Sequence, residues 1–173
     1  MPKNLEIKAR LKSISRGKEI ARRIGARYAG EMKQVDTYFD APAGRLKLRE
    51  INRKSFELIS YSRPNSKSSR YSDYRIIRLE EPSDARMLLT KLYGVRIVIR
   101  KVRVLYRFQN ARIHLDQVKG LGAFLEFEVV VTKGNQQARR LMAYLRREFD
   151  IVQSSLIGGS YSDMGKLEKK RKR

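Results

Sequence analysis

Acidic and basic side chains occupy alternate positions in several short segments of this 173-residue chain. Asn4, Glu6, Lys8 and Arg10 alternate with Leu5, Ile7, Ala9 and Leu11. Arg45, Lys47 and Arg49 flank Leu46 and Leu48, and Arg112, His114 and Asp116 flank Ile113 and Leu115. Glu126 and Glu128 share one parity, with Leu125, Phe127, Val129 and Val131 on the other. If the charged faces converge, Glu6, Asp116, Glu126 and Glu128 form a carboxylate cluster. Lys8, Lys47, Arg49, Arg75, Lys101, Arg103 and Arg112 then form a cationic shell around it. Carboxylates in a chain without cysteine suit a hard, oxygen-loving ion, Mg²⁺ or Mn²⁺. Arginine grips phosphate through its bidentate fork and lysine as a point charge. Metal and cations around phosphate is the logic of phosphoryl and nucleotidyl transfer, where positioning and charge stabilisation supply most of the rate.

Competing chemistries lack their residues. No Walker-type glycine loop is present; Gly120 and Gly122 only flank a turn. Cysteine catalysis, thiolate metal sites and disulfides are excluded by composition. His114 is the sole histidine, and its reading is a sheet-face residue or one satisfying a local hydrogen bond. Tyr38, Tyr61, Tyr74 and Tyr106 read as barrel packing, with base stacking as the lesser alternative. The net charge of +22 points to polyanions as partners. Part of it lies in a terminal run, Lys166, Lys169, Lys170, Arg171, Lys172 and Arg173, countered by Glu168 alone. That run reads as a disordered basic tail over 166–173, with a nuclear address or a nucleic-acid arm as the alternative. No apolar run approaches the ~20 residues of a membrane span, and the N-terminus lacks the apolar core of a signal peptide. The expectation is therefore a cytoplasmic protein that does not enter membranes.

These side chains need strands to align them, because period two is the repeat of a strand with two unlike faces. Besides the alternating segments, residues 35–40, 55–63, 71–79 and 95–108 read as strands, about eight in all. Residues 16–26, 83–93 and 136–149 read as helices, the second entered at Ser83 or Asp84 and ended at Gly94. Eight strands and about three flanking helices give an α+β chain with an antiparallel sheet, closed into a barrel, as one domain over residues 1–165. Periodicity leaves two barrels open. One keeps apolar residues inside and charges in water; the other lines a wet interior with charge and turns its apolar faces outward under the helices.

Asn4-Leu-Glu-Ile-Lys8 resembles the alternating Glu-x-Glu-x-Lys signature of the CYTH superfamily, named for class IV adenylyl cyclase and thiamine triphosphatase. The resemblance continues in order through Gln34-Val-Asp-Thr-Tyr-Phe-Asp40, Gly44-Arg-Leu-Lys-Leu-Arg-Glu50 and Ser72-Asp-Tyr-Arg75. It runs on through Arg100-Lys-Val-Arg103, Arg112-Ile-His-Leu-Asp116, Gly120-Leu-Gly-Ala-Phe-Leu-Glu-Phe-Glu128 and Gly158-Gly-Ser-Tyr161. It is nearest in character to the cyclase-like branch. The resemblance implies an eight-stranded tunnel with its charges inside, metal at Glu6, Asp116, Glu126 and Glu128, and triphosphate at Lys8, Lys47, Arg49, Arg75, Lys101, Arg103 and Arg112. It further implies a metal-dependent enzyme, either a cyclase that makes cyclic AMP and pyrophosphate from ATP or a triphosphatase. Lys8 would orient or activate the nucleophile. A non-catalytic module for polyphosphate or 5′-triphosphate RNA is the alternative, and relatives of this kind are often homodimers. Three positions depart from the signature. Asn4 stands where its first Glu belongs, Val102 interrupts a basic run on the opposite parity, and Arg63 aligns ambiguously.

Overall fold

The computed structural model describes residues 4–62, 70–132 and 134–165. Eight strands form it: β1 (Asn4–Arg10), β2 (Arg27–Phe39), β3 (Arg45–Ile51), β4 (Ser55–Ser62), β5 (Arg70–Leu79), β6 (Val95–Phe108), β7 (Ala111–Val118) and β8 (Gly122–Val130). α1 (Ile14–Arg23) joins β1 to β2, α2 (Pro82–Tyr93) joins β5 to β6, and α3 (Asn135–Glu148) follows β8; a 3-10 turn at Gln153–Ser155 and a helical turn over residues 161–165 come after it. The strands close into a barrel in the order β1-β5-β4-β3-β2-β6-β7-β8, with every pairing antiparallel. The expected tail at 166–173 and Arg63 lie outside the described residues.

The barrel follows the second of the two sequence readings: charge inside, apolar outside under helices. Leu5, Ile7, Ala9, Ile113, Leu115, Leu125, Phe127 and Val129 point out of β1, β7 and β8 into a core shared with Ile20 of α1 and Leu141, Met142 and Leu145 of α3. Ser13 starts α1 by accepting a bond from the Arg16 amide at 3.2 Å, so the helix begins before the expected 16–26. Gly17 lets α1 lie close to the sheet, since a Cβ there would stand 2.9 Å from Leu115 Cδ2. Gly17→Val overpacks this contact and lowers stability by about 1–3 kcal/mol, read as a drop in thermal midpoint. α2 starts with Pro82 in its first turn and Glu81 as its cap residue, with no capping side chain, rather than at Ser83 or Asp84. It buries none of its residues.

β2 extends well beyond the expected 35–40. Its first half, Arg27 to Gln34, mixes charges with Gly30, whose φ of 130° permits a register shift against β6. No side-chain pattern marks that half as strand; its long pairing with β6 makes it one.

Among the described residues, closure between β1 and β5 pairs Asn4–Glu6 with Arg70–Ser72. Beyond it the edge of β1 is covered by the chain after α3. The Ile157 amide donates to the Lys8 carbonyl at 2.8 Å, and Ala9 bridges Leu156. The following residues fold over one end of the barrel. Tyr161 joins Tyr38, Ile97, Ile99, Val118 and Phe124 in a second apolar cluster, with Ile157 and Met164 packed against it. These strand residues share parity with the charged ones above them, so one end of the barrel is filled with hydrocarbon and the rest with ions.

Candidate active site

Above the apolar plug is a cavity of about 280 Å³, lined from every strand. Glu6 and Lys8, Lys47 and Arg49, Lys101 and Arg103, Arg112, Glu126 and Glu128 all line it, as the sequence analysis expects. The register explains who meets whom. Lys8 faces Glu126, Glu6 faces Glu128, His114 faces Glu126, and Arg112 faces Glu128 across neighbouring strands. Directly opposed residues stand ~5 Å apart at Cβ. Glu6 opposite Glu128 places two carboxylates side by side, an arrangement that a cation relieves.

Two expected residues are placed differently. Arg75 lies on the outer, exposed face of β5, opposite Ser60, while its neighbour Tyr74 lines the cavity. It is not part of the cationic lining. Asp116 is fully buried beneath the lining and is surrounded by donors. Arg103 Nε and Nη2 each donate to it at 2.7 Å, Lys101 Nζ at 3.0 Å and the Tyr161 hydroxyl at 2.9 Å. These bonds make it the shared counter-charge of Lys101 and Arg103. Although burial works against ionisation, Arg103 and Lys101 hold its carboxyl far below the usual carboxylate range.

The same device appears a second time around Asp36, a residue the sequence analysis does not single out. Lys47 donates to Asp36 at 2.9 Å, and Arg49 grips it with two bonds of 2.7 and 2.9 Å. In both places an aspartate on one strand holds a Lys-x-Arg pair on its neighbour. Against burial, Arg49 and Lys47 keep Asp36 well below the ordinary range. The pairs thereby stay extended and aimed at the cavity, with their remaining donors available to phosphate.

The cavity therefore has two unlike walls. Glu6, Glu126 and Glu128 form an acidic one on β1 and β8; Lys47, Arg49, Lys101 and Arg103 form a basic one on β3 and β6. Lys8 links them. Its Nζ lies 3.3 Å from Glu126 and 3.8 Å from the centre of the Tyr161 ring. Arg103 Nη2 also bonds Glu126 at 3.0 Å, and Arg112 bonds Glu128 at 2.8 Å at the rim. His114 belongs to the acidic wall. Its donor atoms and those of Glu126 and Glu128 all lie within 4.8 Å of one another, a spacing suited to a divalent ion. The acidic wall thus offers a divalent ion a carboxylate oxygen from each of Glu126 and Glu128 beside the His114 ring, while Glu6 lines the same cavity. His114, expected on a sheet face or in a local hydrogen bond, lies on the inner face of β7 and lines the cavity, where its Nδ1 makes no hydrogen bond among the described residues.

Burial and the adjacent Arg49 push the Lys47 amine down to about 7, and burial and Arg103 push Lys101 down to about 8. In an unfolded chain both remain protonated up to about 10.4. Between these limits the unfolded state binds more protons, so the ligand-free fold gains stability as pH rises from 7 towards 10. Anion binding needs the protonated amines and reverses the shift. Tripolyphosphate affinity is therefore expected to fall as pH rises from 7 to 9, with proton uptake on binding at pH 8.5. Calorimetry in two buffers of different ionisation enthalpy measures this uptake; proton-neutral binding would contradict it.

Comparison with known proteins agrees with the geometry. A curated Methanocaldococcus jannaschii protein named "Putative adenylate cyclase" is 25% identical over 172 residues, covering 92% of this chain and 97% of its own. The solved PH1012 protein of Pyrococcus horikoshii superposes with a TM-score of 0.83 at 22% identity, over 92% of this chain and 98% of that one. A Vibrio parahaemolyticus structure described as a "putative adenylate cyclase" has a TM-score of 0.74 at 21% identity, over 92% and 95%. Both superpositions speak for the fold alone. Among the described residues no helix is long and apolar enough to cross a membrane. The CYTH domain family matches residues 2–154, and with that match the charged barrel takes its place: the chain belongs to the CYTH domain family.

Proposed function

We propose that this chain is a metal-dependent enzyme acting on a triphosphate, with ATP as the leading substrate and cyclic AMP and pyrophosphate as products. The observation that carries this reading is the division of one cavity into an acidic and a basic wall. A single polyanion would suit a uniformly basic pocket. A polyanion carrying divalent cations needs both signs within reach of one bound molecule. The bound ion, Mg²⁺ or Mn²⁺, would be held by Glu6, Glu126 and Glu128 and would supply charge neutralisation at the phosphate oxygens. Lys47, Arg49, Lys101 and Arg103 bind and orient the phosphate chain. Arg112 at the rim adds a further donor, and Lys8, beside Glu126, orients the attacking oxygen.

In the cyclase reaction the ribose 3′-oxygen bonds to the α-phosphorus, the bond to the β-phosphate oxygen breaks, and the hydroxyl proton is released. In the hydrolase reaction a water oxygen bonds to the terminal phosphorus, the bond from that phosphorus to the bridging oxygen breaks, and orthophosphate, the shortened phosphate chain and a proton are the products. The likeness to a relative named as a cyclase favours the first. Asn4, which removes one carboxylate from the expected signature, favours a second reading: a module that binds polyphosphate or 5′-triphosphate RNA without turning it over. Incubating the protein with ATP or tripolyphosphate and Mg²⁺ or Mn²⁺, then resolving products, decides among these. Cyclic AMP supports the cyclase, orthophosphate the hydrolase, and tight binding without product the binding module.

A further inference from the structure

Three buried polar atoms on the cavity wall have no hydrogen-bond partner among the described residues: Asn4 Oδ1, Gln34 Oε1 and His114 Nδ1. Buried acceptors and donors are almost always satisfied, so an orphaned one asks for a ligand. His114 is the most telling of the three, because its nitrogen faces charge. Nδ1 lies 3.8 Å from Glu126 Oε2 and 3.7 Å from Glu128 Oε1. Those distances are too long for hydrogen bonds. They leave a gap that one ion spans: His114, Glu126 and Glu128 each offer a ligand atom, and these atoms all lie within 4.8 Å of one another.

None of the three groups is free to drift. His114 is fixed by β7 between β6 and β8, and its side chain is 6% exposed. Glu126 is held by Arg103 at 3.0 Å and Glu128 by Arg112 at 2.8 Å. The strand register and these bonds therefore keep the three side chains neighbours.

We propose that His114 Nδ1 is a direct ligand of the divalent cation, making a mixed nitrogen–oxygen site with Glu126 and Glu128 that prefers Mn²⁺ to Mg²⁺. This deepens the metal site of the proposed function and rests on it. Mg²⁺ is an oxygen-binding ion that gains little from imidazole, whereas transition metals gain from each nitrogen. Asn4 acts in the same direction. A neutral amide replaces a carboxylate, so the site offers less charge to Mg²⁺ and relies more on donor type.

The chain has one histidine, which makes the test unambiguous. The untagged full chain is labelled with ¹⁵N-histidine and loaded with Mn²⁺ alone, and electron spin-echo modulation is recorded. The expected result is imidazole nitrogen coupling that changes from the ¹⁴N to the ¹⁵N pattern on labelling. Bound Mn²⁺ without histidine coupling, or no Mn²⁺ binding at all, overturns the proposal. In calorimetric titrations His114→Gln is expected to weaken Mn²⁺ by about 10-fold and Mg²⁺ by much less. Equal losses for both metals, or none, also overturn it. Coupling observed in a protein that makes no product leaves this inference standing while the enzyme reading fails; product without coupling does the reverse.

Discussion

Asp116→Ala is expected to lose about 3–5 kcal/mol of stability, because it strands Lys101 and Arg103 in a buried site without their shared counter-charge. For a chain of this size that is a fall in thermal midpoint of roughly 10 °C. The fall should be partly reversed by tripolyphosphate, whose oxygens can take the place of the missing carboxylate near the same two cations. Its stabilising effect is therefore larger on the variant than on the native chain. The opposite pattern, lost Mn²⁺ binding with an unchanged midpoint, would show that Asp116 is the metal ligand the sequence analysis expects. Scanning calorimetry with and without tripolyphosphate, beside a Mn²⁺ titration, distinguishes the two.

Glu126→Gln is expected to lower metal-dependent turnover by at least ~10³-fold, the several kcal/mol that a correctly held ion contributes to a phosphoryl transition state. The substitution keeps the shape of the side chain, removes its charge and turns one of its two acceptor oxygens into an NH2 donor. Glu126 is the carboxylate on which Lys8, Arg103 and His114 all converge. The loss should appear in kcat, together with weaker Mn²⁺ binding, while the circular dichroism spectrum is unchanged. A variant with near-native turnover would remove Glu126 from the site.

Much of this site was legible because charge and hydrocarbon alternate cleanly on β1, β3, β7 and β8. What periodicity left open was which face points inward, and the resemblance carried by the ordered motifs resolved it. Arg75 went astray in a segment, Tyr74-Arg-Ile-Ile-Arg78, whose residues have no two-fold rhythm; only its pairing with β4 sets Tyr74 inward. Asp36 was overlooked for a different reason. Its meaning comes from Arg49 and Lys47, which reach it only through the β2–β3 register, and register is not written in a single segment. Asp116 looked like Glu126 in one dimension. Full burial and four hydrogen bonds from three side chains make it a different instrument. His114 showed its strand face, in step with Arg112 and Asp116, but not the carboxylates across from it on β8. Its importance lies in a bond it does not make.

The hydrocarbon plug beneath these ions has a consequence for traffic. Tyr161, Phe124, Ile97 and Ile99 fill the β6 and β8 side of one end of the barrel with hydrocarbon. A phosphate chain would have to shed its water to pass along that side, and the side chains there offer it little in return. On the proposed triphosphate reading, the anion is therefore expected to enter and to leave by the opposite, charged end.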